Sequence, residues 1–248
     1  MFEGIRLCEA IFLSWFRFLI WFAFLAGQQE KARALVGAIP AAWSRRVFRK
    51  RKCRVVVEGG ENVPRDQAFV VMSNHQSGYD ILLLTGFLGR SAGFVAKKEL
   101  FRVPGVSSWL KQLHSISLDR GNISEASETL ERLGMELKTN RRGVIIFPEG
   151  TRTKHPSREI QAFRQGSLRL ASDNKILVVP VSLDGTRFLE RFEYFWKTPA
   201  SERIVRMKIA PPIMPDTKNA QERKRFMESL RETIISNWKA IRVEWPLS

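Results

Sequence analysis

The sequence predicts an α/β domain with a mixed, largely parallel central sheet flanked by helices, preceded by an N-terminal two-helix membrane-anchoring motif. Two observations carry this prediction. From Arg54 onward, short β-branched runs alternate with helical stretches, and before Arg54 an apolar segment is followed by a dense basic cluster. We therefore divide the chain into residues 1–53, a membrane-associated helical motif, and residues 54–248, the α/β domain.

The first predicted helix covers residues 10–26, "AIFLSWFRFLIWFAFLA". It is shorter than the roughly 20 uninterrupted apolar residues of a spanning helix, and Arg17 lies near its middle. A cleaved signal peptide is the competing interpretation, but Glu3 and Glu9 do not fit a basic leader and no clear small-x-small cleavage site follows. We therefore expect a monotopic helix that dips into one leaflet of the membrane.

The second predicted helix carries an apolar stripe and ends in basic residues. The stripe consists of Ala32, Leu35, Val36, Ile39, Trp43 and Val47. Pro40 is expected to kink or divide this helix. Seven of the ten residues 45–54 are basic, which indicates contact with anionic headgroups on the cytoplasmic face of the inner, or cytoplasmic, membrane. The alternatives are a solvated basic linker or a nucleic-acid-binding arm.

The overall charge limits the classes of partner. With 41 basic and 25 acidic residues, the chain carries a net charge of +16 and attracts anionic partners. A nucleic-acid binder would interleave basic with aromatic residues, whereas the densest aromatic cluster here lies in the first apolar segment. No nucleic-acid partner is therefore expected. The two cysteines make no disulfide framework, and the three histidines lack paired ligand spacing, so no metal site is expected either.

The α/β domain contains seven predicted strands and four predicted helices. The strands are residues 54–59, 68–73, 93–97, 115–118, 143–147, 176–183 and 204–210. The helices are residues 79–89, 124–139, 162–172 and 219–240. Functional groups of such a domain lie in loops at the strand ends, so polar residues that directly follow strands are the candidates.

The first candidate loop is "SNHQSGYD", which follows the strand "AFVVM" and opens the helix "DILLLTGFL". Ser77 and Asp80 have the spacing of a helix capping box, which would explain the aspartate by itself. Alternatively, the loop folds the His75 ring back over the first turn of the helix, where Asp80 accepts a hydrogen bond from one ring nitrogen. The other nitrogen would then be free to act as a general base.

The second candidate loop is in "GVIIFPEGTRT", where a buried strand ends in Pro-Glu-Gly. One interpretation is a strand-to-loop turn followed by a surface arginine. The other is an anion site, in which Gly150 lets backbone N–H groups approach a phosphate while Arg152 donates a forked pair of hydrogen bonds.

Together these motifs resemble the glycerolipid acyltransferase family, which has an H-x4-D box and an F-P-E-G-T-R box. Here the boxes are residues 75–80, "HQSGYD", and residues 147–152, "FPEGTR". Two weaker boxes also match: "SISLDRGN" aligns Arg120 with a substrate-binding arginine, and "VVPVSLDG" contains the proline of the fourth box, Pro180. The resemblance extends from Val55 to Gly185, with all four boxes in the order of the family.

The resemblance implies an enzyme that moves a fatty acyl chain from a thioester donor to the sn-2 hydroxyl of lysophosphatidic acid, giving phosphatidic acid. It implies His75 and Asp80 as the catalytic residues. The implied substrate-binding residues are Arg120, Glu149, Gly150, Thr151 and Arg152. In addition, Lys97 and Lys98 lie at the end of another predicted strand, and Lys98 is a further candidate from this position, with a solvated pair as the alternative. No cofactor is expected beyond the co-substrate, acyl-coenzyme A, acyl carrier protein or acyl phosphate. Glycerol 3-phosphate or another lysophospholipid is the alternative acceptor, and a non-catalytic anionic-lipid or nucleic-acid binder is the remote alternative.

Overall fold

The computed structural model describes residues 29–103, 106–117, 123–153, 160–190 and 198–242. Within these ranges the α-helices are α1 (Gln29–Lys50), α2 (Tyr79–Phe87), α3 (Val106–Gln112), α4 (Ile123–Thr139), α5 (Arg169–Asn174), α6 (Thr186–Glu190) and α7 (Ala220–Ala240). The strands are β1 (Arg54–Glu58), β2 (Phe69–Ser73), β3 (Ala92–Ala96), β4 (Ile116–Ser117), β5 (Gly143–Ile146), β6 (Leu177–Asp184) and β7 (Ile204–Ile209). The first predicted helix, residues 10–26, lies outside the described residues.

The strands form one seven-stranded sheet in the order β1-β7-β6-β2-β5-β3-β4. Strands β2 to β6 run parallel to one another, whereas β7 pairs antiparallel with β6 and β1 runs parallel to β7. The predicted mixed, largely parallel sheet is therefore confirmed. Because β2, β3 and β5 are parallel neighbours, their carboxyl ends meet at one edge of the sheet, and the loops that follow them meet there too.

The centre of the sheet is covered on both faces, which explains why its strands are continuous apolar runs. Alternate residues of β2 face opposite sides. Phe69 and Val71 belong to a core that includes Leu83 of α2, whereas Val70 and Met72 belong to a second core. Helices α4, α5 and α7 contribute to that second core. The predicted arrangement of helices on both faces of the sheet is thus confirmed.

Helix α1 packs against this domain. Phe48 is buried in the core beside α2, and its ring meets the rings of Tyr79 and Phe87 edge to face. Part of the predicted apolar stripe, from Leu35 to Trp43, contacts Trp109 of α3. These stripe residues therefore contact protein, and the anchoring role of the N-terminal helices stays a prediction. Within the described ranges, no helix is both long enough and apolar enough to span a membrane.

The structure contradicts two details of the predicted helices, the division at Pro40 and the start of the helix 162–172. Helix α1 continues through Pro40 and is not divided there. The missing N–H of a proline removes only one hydrogen bond, and the packing of α1 against α2 and α3 outweighs this loss. The predicted helix 162–172 begins three residues later, as a 3₁₀ turn from Gln165 to Leu168 followed by α5. Arg164 is extended because its N–H donates to the carbonyl of Pro148.

Candidate active site

The site begins where the chain leaves β2. Asn74 is buried, and its side-chain amide donates to the carbonyl oxygen of Leu183 (2.9 Å) and accepts from the N–H of the same residue (2.8 Å). The side chain thus replaces one backbone pairing between β2 and β6. This contact fixes the start of the loop, so the next residue, His75, has a defined position at the carboxyl edge of the sheet.

His75 and Asp80 are brought together by this loop, as predicted by the interpretation in which the loop folds the His75 ring back over the helix. The ring Nδ1 of His75 lies 2.8 Å from Oδ2 of Asp80, which is fully buried. Because an ionised carboxylate can only accept, the ring hydrogen is on Nδ1 and the lone pair is on Nε2. The His75 side chain keeps 15% of its surface exposed.

The same carboxylate also caps helix α2. Oδ2 of Asp80 accepts from the backbone N–H of Gln76 (2.6 Å) and of Ser77 (2.9 Å). The Ser77 hydroxyl accepts in turn from the N–H of Tyr79 at 3.1 Å. The two interpretations of Asp80, helix cap and partner of the histidine, are therefore both correct, because one oxygen accepts from several donors.

Phe147 joins the second box to the first. Its ring stacks on the His75 imidazole, with 4.0 Å between ring centroids and 13° between planes. The contact is a consequence of the sheet, since β2 and β5 are neighbours and Met72 pairs with Ile146. An aromatic face against the imidazole removes water from one side of the ring and fixes its plane.

Glu149 lies beneath the loop, with its side chain buried. Its Oε1 accepts from the N–H of His75 (2.7 Å), and its Oε2 accepts from the N–H of Gln161 (3.0 Å) and the hydroxyl of Thr153 (3.2 Å). Burial raises the pKa of the Glu149 carboxyl, and these hydrogen bonds act in the opposite direction. Its oxygens serve donors of the protein itself, so the geometry favours a positioning role over the substrate contact implied by the resemblance.

Gly150 forms the turn of the second box. Its φ of +71° is in the left-handed region, and its N–H donates to the carbonyl of Phe147 at 3.0 Å. A Cβ at this position would lie 2.7 Å from Nε of Arg164. The turn then exposes Thr151 and brings the N–H of Thr153 to the carbonyl of His75 at 2.9 Å.

Arg152 lies at the rim of this turn and forms an ion pair that the sequence does not suggest. Its Nη1 is 2.7 Å from Oε1 of Glu190, at the end of α6, and each side chain is about one-third exposed, 36% and 35%. The amide of Gln161 donates to the backbone carbonyl of Arg152 at 3.4 Å. The guanidinium is thus held at the surface, near the loop that carries His75.

Comparison with known proteins identifies the family. The sequence model of the acyltransferase family matches residues 54–184, just over half of the chain. The chain belongs to the acyltransferase family. Its curated relatives include the 1-acyl-sn-glycerol-3-phosphate acyltransferases of Saccharomyces cerevisiae, 29% identical over 187 residues, and of Bacillus subtilis, 33% identical over 134 residues. These matches cover 75% and 53% of this chain, but only 60% and 63% of the relatives, so the chain spans less than two thirds of their length.

A solved structure of the same family has the same fold. The 1-acyl-sn-glycerophosphate (LPA) acyltransferase PlsC from Thermotoga maritima superposes with a TM-score of 0.70 at 28% sequence identity. The superposition covers 99% of this chain and 100% of that chain. The resemblance stated from the four boxes is therefore confirmed at the level of family and fold.

Two predicted site residues of this chain are not part of the contacts described above. Lys98 is exposed at the start of a 3₁₀ turn, Lys98–Arg102, that follows β3 at the same edge of the sheet. Arg120 lies outside the described residues. Among the residues that are described, no three His, Cys, Asp or Glu side chains form a group that could hold a metal ion.

Sequence reasoning missed a buried polar network behind Asp80. The hydroxyl of Thr186, the first residue of α6, donates to Oδ1 of Asp80 at 2.5 Å. Oδ1 of Asp184 accepts from the Gln76 amide and from the Trp238 indole, each at 2.9 Å. Gln76 and Asp80 follow β2, Asp184 is the last residue of β6, Thr186 follows it, and Trp238 lies on α7. The run Asp184-Gly185-Thr186 directly after a predicted strand was the available signal.

Proposed function

We propose that this protein transfers a fatty acyl chain from a thioester to the sn-2 hydroxyl of lysophosphatidic acid, giving phosphatidic acid for phospholipid biosynthesis. The observation that carries the proposal is the hydrogen bond of 2.8 Å between His75 and Asp80. The His75 ring also stacks on Phe147, which belongs to the same box as Arg152. The names of the curated relatives and of the structural neighbour support the same substrate.

In the proposed reaction His75 is the general base. With the ring hydrogen on Nδ1 held by Asp80, Nε2 accepts the proton of the acceptor hydroxyl. The hydroxyl oxygen then forms a bond to the thioester carbonyl carbon, the carbon–sulfur bond breaks, and the leaving thiolate takes the proton back from the imidazolium. The Asp80 carboxylate, which accepts from four hydrogen-bond donors, stabilises the imidazolium.

The chemistry favours direct transfer over an acyl-enzyme at a cysteine. Cys53 is the free cysteine of the described ranges, and it is buried. Burial raises the pKa of the Cys53 thiol to about 12, although the charge of Arg203 acts in the opposite direction. Since the thiolate is the nucleophilic form, this thiol is inert near neutral pH.

The acceptor phosphate would bind at the rim of the F-P-E-G-T-R turn. Arg152 offers a planar fork that suits a phosphate, and it is part-exposed there. Arg120 and the backbone at Gly150 and Thr151 are the further ligands that we propose, and Lys98 follows a neighbouring strand at the same edge of the sheet. Replacing Arg152 by lysine would keep the charge but lose the fork, so the KM for lysophosphatidic acid should rise.

We further propose monotopic attachment to the cytoplasmic face of the inner membrane through residues 1–53. The basic cluster supports this: Arg45, Arg46, Arg49, Lys50, Lys52 and Arg54 are all exposed. Each such cation near an anionic surface contributes about 1 kcal/mol of binding. In the same segment, Arg51 donates to the carbonyl of Leu189 at 3.2 Å and lies over the Tyr79 ring at 5.1 Å from its centroid. The basic surface is therefore next to the helix that follows His75, where a lipid acceptor would enter.

The test is a radiolabelled acyl-transfer assay on the full chain in detergent. The acceptors are lysophosphatidic acid, glycerol 3-phosphate and lysophosphatidylcholine. Each is offered with three donors in turn: acyl-coenzyme A, the acyl thioester of acyl carrier protein, and acyl phosphate. We expect transfer to lysophosphatidic acid. Preferred transfer to either other acceptor would change the substrate assignment, and no transfer with any combination would overturn the proposal.

A further inference from the structure

Glu190 is the acidic residue that lies against the proposed phosphate-binding arginine. Its Oε1 is 2.7 Å from Nη1 of Arg152. A Cβ built on Gly78, in the first box, would lie 3.9 Å from that same oxygen. The Glu190 carboxylate is therefore close to both boxes, beside Gly78 of the first and Arg152 of the second.

The position of Glu190 is set by a rigid element. Helix α6 begins at Thr186, which is fully buried and hydrogen bonded to Asp80. Near its other end Leu189 is buried, and its carbonyl accepts from Arg51 of the segment after α1. Both ends of this short helix are thus fixed, so the fold determines where the Glu190 side chain begins, within reach of Arg152.

The charge of Glu190 opposes the charge of the acceptor. A phosphomonoester carries about −1.5 to −2 charges near neutral pH. The Glu190 carboxylate repels this phosphate and occupies hydrogen-bond donors of the Arg152 guanidinium that the phosphate would need. The charge of Glu190 also acts on the neighbouring Tyr79. Burial raises the pKa of the Tyr79 hydroxyl, the charge of Arg51 lowers it, and the charge of Glu190 raises it further. The pair with Arg152 is part-exposed, and such pairs are weak enough to exchange readily.

We propose that Glu190 competes with the acceptor phosphate for Arg152 and thereby sets the affinity of the enzyme for its phosphorylated acceptor. This inference rests on the proposed function. Binding of the phosphate turns the Glu190 side chain away from the guanidinium towards solvent. Glu190 is then a specificity-determining residue, because an acceptor without an anionic headgroup does not displace it.

The test compares Glu190→Gln with Glu232→Gln, which removes the same charge from an exposed position on α7. Glutamine keeps the size of the side chain and removes its charge. In Glu190→Gln the KM for lysophosphatidic acid should fall about three- to tenfold with kcat unchanged. The Ki of inorganic phosphate, used as a lipid-free competitor, should fall by a similar factor. Glu232→Gln should leave both constants as in the wild type.

Three outcomes would overturn the inference. A higher KM in Glu190→Gln would mean that Glu190 holds Arg152 in place for the acceptor. An unchanged KM and Ki would mean that the pair has no role in binding, and an equal fall in Glu232→Gln would assign the effect to net charge alone. A wild-type enzyme that does not acylate lysophosphatidic acid would remove the proposed function, and this inference with it. An active wild type with any of the first three results would remove only the role of Glu190.

Discussion

Asp80 and Thr186 are hydrogen bonded to each other in the protein interior, although they are 106 residues apart in the chain. The Thr186 hydroxyl donates to Oδ1 of Asp80, and the His75 ring and two backbone N–H groups donate to Oδ2. Both oxygens of the carboxylate are therefore occupied, and its orientation towards the imidazole is fixed from both sides.

Replacing Asp80 by asparagine should remove the charge and keep the structure. The asparagine oxygen can accept from His75 and the backbone donors, and its NH₂ group can donate to the Thr186 hydroxyl, which also accepts. We expect kcat for acyl transfer to fall about 100-fold or more, with a small change in the melting temperature. Near-normal turnover in Asp80→Asn would show that Asp80 serves only as the cap of α2.

Replacing Thr186 by valine should lower turnover through Asp80. Valine keeps the shape of the side chain but leaves Oδ1 without its donor, so the carboxylate is less firmly oriented. We expect kcat to fall about tenfold with KM unchanged, and Thr186→Ser to restore most of the activity. If Thr186→Val keeps the wild-type kcat, the hydroxyl of Thr186 does not act through Asp80.

Much of this arrangement follows from local sequence, and the rest depends on tertiary contacts. All seven strands were predicted, because their β-branched runs are short and the central ones are buried on both faces. The loop position of His75 and its contact with Asp80 were also predicted, from the glycine and the polar residues after β2. The two roles of Asp80 seemed exclusive because local spacing does not show how many donors one carboxylate accepts.

The missed features depend on partners distant in the chain. Helix α6 has only five residues, too few for a periodic pattern, and it is held by Asp80 and Arg51. The ion pair of Arg152 with Glu190 joins a loop to the end of α6, and no spacing rule connects the two. The predicted division of α1 at Pro40 is wrong for a similar reason, because tertiary packing of α1 outweighs the low helix propensity of proline.

The buried Glu149 carboxyl should make the free energy of unfolding fall as the pH rises. Burial raises the pKa of its carboxyl in the folded protein, so the folded state binds this proton more tightly than the unfolded chain does. The associated stability is complete below the unfolded pKa of about 4.3 and is lost as the pH rises through the folded value. We expect the unfolding free energy of the wild type to exceed that of Glu149→Gln most at acid pH.

This prediction is checked by denaturant unfolding of both proteins at about pH 4 and about pH 7. A difference between wild type and Glu149→Gln that instead grows towards neutral pH would mean that the hydrogen bonds from His75, Thr153 and Gln161 outweigh burial.

Gly150→Ala should disturb the second box. Its φ of +71° costs an alanine roughly 1–2 kcal/mol, and the new Cβ would displace the Arg164 side chain. We expect lower stability by about that amount and a higher KM for the acceptor. Gly60→Ala is the matched control, since a Cβ there meets no atom within 4 Å. Equal behaviour of the two variants would show that the turn at Gly150 tolerates a side chain.

The central claim is that His75 removes the proton of the acceptor hydroxyl. The most direct measurement is kcat for acyl transfer to lysophosphatidic acid by His75→Ala at saturating substrates, with the melting temperature measured on the same sample. We predict a fall of about 10² to 10⁴ in kcat for a protein that is still folded, because the ring is part-exposed and lies in a loop. A folded His75→Ala variant that turns over at the wild-type rate would contradict the account.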